Sequence, residues 1–233
     1  MLPWGLGRGN MLKACTLVKR IQGMEVETFQ KYWLGKHADI VRKLPLVKRY
    51  VQSHPLLGGY RKGELIYDGL AEIWVDNTEA LRSMAKSDAY KAVTKDEANF
   101  IDSKNTSLLL TEEHVLKDGK IPKDGIKSIG LVTRKNGMSV QDFQTYWKNI
   151  HGPIANEIPV VRRYVQSHTK LAGYNREPKP SWDGIGITWF DSVDKMRTSI
   201  GTPEYESTLA DGANFTETTS QNLMLTREHF IIE

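Results

Sequence analysis

An α+β chain built from two copies of one β-α-β-β-α-β unit is expected here, and three observations carry the expectation. The hexapeptide Arg49-Tyr50-Val51-Gln52-Ser53-His54 returns as Arg163-Tyr164-Val165-Gln166-Ser167-His168, 114 positions later. Its surroundings return with it. Phe29-Gln30, Tyr32-Trp33, His37 and Pro45 recur as Phe143-Gln144, Tyr146-Trp147, His151 and Pro159. After one inserted residue, Asp68-Gly69, Trp74, Tyr90, Asn99-Phe100 and Glu113-His114 recur as Asp183-Gly184, Trp189, Tyr205, Asn214-Phe215 and Glu228-His229. Such a period is far longer than the ~20–50 residues of a solenoid repeat, so the repeating object is a domain. Third, strand and helix signals follow one another in the same order in both copies.

Taken in order, Leu12 to Arg20 and Ile126 to Arg134 read as first strands, each followed by a turn at Gly23 or Gly137. A helix comes next. At ~100° per residue, Phe29, Trp33, His37, Ile40 and Leu44 share one stripe, as do Phe143, Trp147, His151, Ile154 and Ile158. Gly152-Pro153 predicts a break or kink directly after His151. The hexapeptide is the second strand, with Tyr50, Gln52 and His54 on one face and Arg49, Val51 and Ser53 on the other. Leu70 to Val75 and Ile185 to Phe190 are apolar on nearly both faces and should be central strands. Asp76 or Asn77, and Asp191 with Asp194, are expected to cap a further helical stretch, itself split into two helices near Ser87-Asp88 and Thr202-Pro203. Ser107 to Val115 and Gln221 to Phe230 close the copies.

The expected division is a flexible tail over 1–11, repeat one over 12–115, a polar Asp-Gly and Pro linker over 116–125, and repeat two over 126–233. Each repeat is ferredoxin-like, a four-stranded antiparallel sheet with helices on one face. The other face lacks a cover of its own. Two such faces buried together give an intrachain pseudo-dimeric α/β barrel, which removes an exposed apolar patch.

Composition narrows the function. The chain of 233 residues is 39% hydrophobic and 26% charged, with net charge +4, pI near 9.0 and mean hydropathy −0.45, an ordinary globular balance. The basic residues are not gathered into a stripe set with aromatics, so nucleic acid is not expected as a partner. Cys15 stands alone, which excludes an intrachain disulfide and fits a reducing, cytoplasmic setting. No apolar run reaches about 18 residues, so no membrane span is expected. His-x-His and His-x₃-His spacings are absent, and no metal site is expected.

All six histidines fall in matched pairs: 37/151, 54/168 and 114/229. His37 and His151 are the sharpest candidates for acid/base chemistry, since an imidazole titrates near neutrality. The alternative is a core histidine bonded to a helix carbonyl. Tyr50, Gln52 and His54, with Tyr164, Gln166 and His168, put polar groups on a buried strand, which costs free energy unless they are bonded. They form either a cavity wall or an internal hydrogen-bond network; the cavity is the expectation. Glu113-His114 and Glu228-His229 are expected as solvated strand ends.

The combination Phe-Gln-x-Tyr-Trp-x₃-His, then Pro and Arg-Tyr-Val-Gln-x-His, then Asp-Gly and a Trp-bearing strand resembles the EthD domain of the dimeric α/β-barrel superfamily. Both copies carry it. The resemblance implies a domain that pairs into a barrel, and a role in oxidative breakdown of small organic molecules beside a haem monooxygenase or in polyketide-type tailoring. The expected function is therefore an enzyme acting on a small apolar or aromatic compound, with His37 and His151 as acid/base residues. Tyr32, Trp33, Tyr50, Gln52, His54 and Trp74, with Tyr146, Trp147, Tyr164, Gln166, His168 and Trp189, would bind the substrate. The alternative is a non-catalytic accessory protein that delivers substrate to a separate oxygenase. A third reading has haem on one histidine as axial ligand; otherwise no cofactor is expected.

Overall fold

The computed structural model of the chain describes residues 11–217 and 222–233. The expected tail, apart from Met11, lies outside the described residues. The first copy runs β1 (Leu12–Val18), α1 (Val26–Tyr32), a π turn (Trp33–His37), α2 (Ala38–Val41), β2 (Arg49–Pro55), β3 (Gly69–Val75), α3 (Thr78–Ala85), α4 (Asp88–Glu97) and β4 (Ser107–Lys117). The second runs β5 (Ile126–Val132), α5 (Val140–Tyr146), a π turn (Trp147–His151), α6 (Gly152–Asn156), β6 (Arg163–Thr169), β7 (Gly184–Phe190), α7 (Val193–Arg197), α8 (Pro203–Phe215) and β8 (Leu223–Ile232). The strands form a closed barrel ordered β1-β3-β2-β8-β5-β7-β6-β4. Within that ring each copy keeps the ferredoxin-like order, fourth strand, first, third, second. The registers match as well: Lys13 pairs with Trp74 and Thr111, and Lys127 with Trp189 and Thr226.

Two compact units result: the first takes the end of β8 from the second copy, and the second takes Ser53–Ile66 and the end of β4 from the first. The first comprises Met1–Gln52, Tyr67–Glu112 and His229–Glu233; the second comprises Ser53–Ile66 and Glu113–Glu228. In the first, Val18, Phe29, Trp33, Val41, Leu44, Tyr50, Met84, Val93 and Phe100 form the core, with Ile231 and Ile232 packed against it. In the second, Ile126, Ala155, Ile158, Val161, Tyr164 and Phe190 make one cluster, and Phe143, Trp147 and Phe215 another.

Local signals explain most boundaries. Gly23 and Gly137 both adopt φ of 82°, the left-handed conformation that glycine takes without a Cβ penalty. Asn77, Ser87 and Thr202 cap α3, α4 and α8 with their side chains, satisfying orphan N–H groups of the first turn. The cap of α7 is Ser192, not Asp191. The helix does not break at Gly152-Pro153. It continues through the π turn into α6, with Pro153 in the first turn of that segment. Among the described residues no helix is long and apolar enough to cross a membrane.

Candidate functional site

In both copies the long helix widens at the same place, from the indole to the histidine: Trp33–His37 and Trp147–His151. The sheet supplies a cause. Gln52 Nε2 donates to the Trp33 carbonyl at 3.0 Å, and Gln166 Nε2 donates to the Trp147 carbonyl at 2.8 Å. A side chain entering the helical ladder in this way is a known origin of local distortion. The same carbonyl then receives the N–H five residues on, Ala38 to Trp33 and Gly152 to Trp147.

The wider turn changes which side chains meet. In an α-helix, residues five apart differ by ~140° around the axis. A π turn closes on the fifth residue and brings it back toward the first. Tyr32 and His37 are five apart, and they converge on one carboxylate. Tyr32 Oη donates to Asp96 Oδ1 at 2.7 Å, and His37 Nδ1 meets Asp96 Oδ2 at 2.9 Å. The second copy repeats this with Tyr146 to Asp211 Oδ1 at 2.8 Å and His151 Nδ1 to Asp211 Oδ2 at 2.8 Å. Asn99 and Asn214 reach toward the same Oδ1 atoms, at 3.5 and 3.3 Å.

A carboxylate accepts only, so the histidine proton on this side is held at Nδ1, and Nε2 is the nitrogen left to take or give one. Burial lowers the pKa of both histidines, against the opposing pull of their aspartates. Burial works to raise Asp96 and Asp211, but the tyrosine and histidine hydrogen bonds outweigh it and leave both below the usual carboxylate range. The pair is therefore a neutral imidazole on an anionic carboxylate, with Nε2 turned away from the carboxylate. Phe100 and Phe215 close on the two imidazoles with ring centroids 4.8 and 4.7 Å away. The partner of the buried His37 is a carboxylate and not a helix carbonyl.

Beneath the indoles lies the polar face of β2 and β6. Trp33 Nε1 donates to Tyr50 Oη at 3.2 Å and Gln52 Nε2 donates to the same oxygen at 2.9 Å; Trp147, Tyr164 and Gln166 repeat this at 3.2 and 2.8 Å. Burial drives the Tyr50 phenol well above its ordinary pKa and pushes Tyr164 up to about 12. The expectation of a cavity wall on the uncovered sheet face is thus corrected. These residues face the helix, and their polar atoms are bonded to one another and to its backbone. His168 completes the stack in the second unit: its ring lies flat on Trp147 at 4.6 Å and 7°, with Nε2 2.9 Å from Gln166 Oε1. Burial, then the charges of His114 and Lys148, lower it to about 3. His54 is buried on β2, in the segment grouped with the second unit.

Trp74 and Trp189, expected with these residues, are not among them. Directly paired residues of an antiparallel ladder share a face. Arg163 pairs with Trp189, whereas Tyr164, Gln166 and His168 pair with Thr188, Gly186 and Gly184. Trp189 therefore points away from α5, beneath Lys127 at 5.2 Å and bonded through Nε1 to Glu228 at 2.9 Å. Trp74 lies on the corresponding face, under Lys13 and Arg49. Glu228 is no solvated strand end either, since it also stands 3.3 Å from the buried Lys127. His114 packs edge-on against His168 with ring centroids 4.6 Å apart. Asp96 and Asp211 were missed, although Asp96-x-x-Asn99-Phe100 and Asp211-x-x-Asn214-Phe215 stand in the same register as the other matches.

Among the described residues no group of three or more His, Cys, Asp or Glu is placed to hold a metal ion. Haem fits His37, His151 and His168 poorly. Side-chain exposure of only 4% at His37 and 12% at His151 leaves no open slot for a planar macrocycle at Nε2, and Nε2 of His168 is engaged by Gln166.

The profile described as the EthD domain matches residues 21–104 and 135–219, one stretch in each copy. No curated protein matches the chain. Among solved structures, an anthrone oxidase-like protein is 11% identical with a TM-score of 0.64, covering 97% of this chain and 95% of its own. A mutant chlorite dismutase from Candidatus Nitrospira defluvii is 8% identical with a TM-score of 0.53, covering 95% and 92%. An EthD family protein from Bacillus halodurans C-125 is 25% identical with a TM-score of 0.38 and covers 45% of this chain and 99% of its own.

Proposed function

The chain belongs to the EthD domain family, in two copies, and from that premise we propose that it transfers a proton to or from a small apolar or aromatic organic compound. The observation that carries this reading is the duplicated His–Asp pair on a π turn. Tyr32, His37, Asp96 and Asn99 in one copy, and Tyr146, His151, Asp211 and Asn214 in the other, use the same contacts. Asp96 and Asp211 orient the imidazole and stabilise the imidazolium formed when Nε2 takes the proton. Such a step belongs to oxidative or polyketide-type tailoring of phenols and activated C–H compounds. The anthrone oxidase-like likeness, which by itself speaks for fold, is consistent with that substrate class. A cytoplasmic setting goes with this reading, since the single Cys15 is a buried cysteine outside any disulfide.

The experiment starts from a thermal-shift screen of small aromatic and ether-type compounds, because a ligand of the folded state raises apparent stability. Turnover of a hit should fall roughly 10²–10⁴-fold in a His37→Gln/His151→Gln double variant, the usual contribution of a general acid or base. Binding without any turnover in the unaltered protein would favour the accessory role beside a separate oxygenase. A Soret band in the purified protein would revive haem.

A further inference from the structure

The two copies agree at the His–Asp pair and part at the next helical residue. Glu97, on α4, corresponds to Gly212, on α8. Glu97 is half-buried and lies within electrostatic reach of Tyr50, sealed beneath Trp33, and of Tyr90. Burial and the neighbouring Asp96 raise its carboxyl to about 7. Gly212 is buried too, yet a Cβ added there would meet no atom within 4 Å. A buried position with nothing opposite it borders a hollow. A second difference lies above it. Lys36 sits 3.6 Å from Asp96 and 5.0 Å over the Tyr32 ring, closing the first pair from outside. Its counterpart is Ile150, exposed and without charge. The His151 side chain is 12% exposed against 4% for His37.

We propose that the copies have divided roles: the hollow beside Gly212 in the second copy admits a flat, uncharged aromatic ligand carrying a hydroxyl, while Glu97 and Lys36 close the equivalent space in the first. The inference deepens the acid/base reading by placing the working site at His151. An aromatic ring suits the hollow because Tyr164 and Tyr205 are the counterparts, in the repeat, of Tyr50 and Tyr90, the two phenols within reach of Glu97. A hydroxyl suits Nε2 of His151, which is the nitrogen not engaged by Asp211.

Calorimetric titration with 1-naphthol tests it. The unaltered protein should bind one equivalent. Gly212→Glu should weaken binding at least tenfold, and the Lys36→Ile/Glu97→Gly double variant should add a second equivalent. Gly212→Gln, which fills the hollow without charge, should act like Gly212→Glu and covers the case in which the buried carboxylate prevents folding. Replacing a helical glycine favours the helix, so the filled variant should melt no lower than the parent. Two equivalents or none in the unaltered protein, unchanged affinity in the folded Gly212→Gln variant, or no second equivalent in the folded Lys36→Ile/Glu97→Gly variant would each overturn the proposal. Failure of the acid/base reading leaves a different mark: His151→Gln would keep full turnover while one equivalent of naphthol still binds at Gly212.

Discussion

Asp211 is the atom group on which the chemistry of the second copy turns, and Asp211→Asn perturbs it with almost no change of shape. Three donors point at the carboxylate: Tyr146 and Asn214 at Oδ1, and His151 Nδ1 at Oδ2. An asparagine has one oxygen. If that oxygen serves Tyr146 and Asn214, the new amide N–H₂ faces Nδ1, which must become an acceptor, and the ring proton moves to Nε2. The opposite orientation sets two amide N–H₂ groups against each other. The variant should therefore hold the Nε2–H tautomer and lose the basic nitrogen, with a rate loss of roughly 10²–10⁴-fold. The tautomer is read directly from imidazole ¹⁵N shifts, without a substrate. Stability should fall by about 1–3 kcal/mol near pH 7, the usual loss when a charge-assisted bond is removed from a largely buried site. That gap has a pH signature. The folded-state pKa of Asp211 lies below the ordinary 3.8, so its contribution is present above that value and disappears as pH falls through the folded pKa. Denaturant melts of parent and variant should converge in strong acid. An unchanged ¹⁵N tautomer, or a stability gap that persists at the lowest pH where the protein folds, refutes the assignment.

Three further outcomes are expected. His168 is held neutral down to about 3, whereas an unfolded histidine takes its proton near 6.5, so this residue makes stability fall as pH drops from about 6.5 to 3; His168→Phe, which keeps the ring on Trp147, should flatten that slope in pH-dependent urea melts. A Cβ at Gly184 would stand 2.5 Å from Trp147 Cζ3 and 2.8 Å from the Ser167 carbonyl, so Gly184→Ala should cost about 1–3 kcal/mol, while Gly186→Ala, 3.5 Å from the same indole, should cost far less by calorimetric melting. Asp68 is fully buried against the Arg20 guanidinium and 3.3 Å from Lys19 Nζ, and Asp68→Ala, which takes the carboxylate away from both cations, should lower stability by about 3–5 kcal/mol in denaturant titration.

Much of this was readable because the duplication checks itself. A residue that recurs in register marks the turn at Gly23, the helix stripe and the strand of the hexapeptide more firmly than propensity does in a single copy. The π turn was not readable, because its cause is non-local: Gln52 and Gln166 bond to helix carbonyls 19 residues earlier. Without it, Tyr32 and His37 fall on different faces of an ordinary helix, and nothing points to a shared carboxylate. Asp96 and Asp211 carried a sequence signal, the repeated Asp-x-x-Asn-Phe, but lie on a polar helix where an acidic residue ordinarily meets water. The face of Tyr50 and Gln52 was misjudged for a related reason. A helix-covered surface is expected to be aliphatic, and here the helix itself offers a carbonyl and an indole N–H to bond.

The exchange of segments between the units bears on how the chain is made. Ile231 and Ile232 pack on the core that holds Phe29, Trp33 and Tyr50, so on a ribosome the part synthesised first lacks two of its apolar contacts until the closing strand has emerged. The second unit has no such wait for its borrowed piece, Ser53–Ile66, which is already out. Both units are thus completed only by the last strand, and an interrupted translation product ending near residue 200 would leave even the half made first unfinished, a ready substrate for chaperones and proteases.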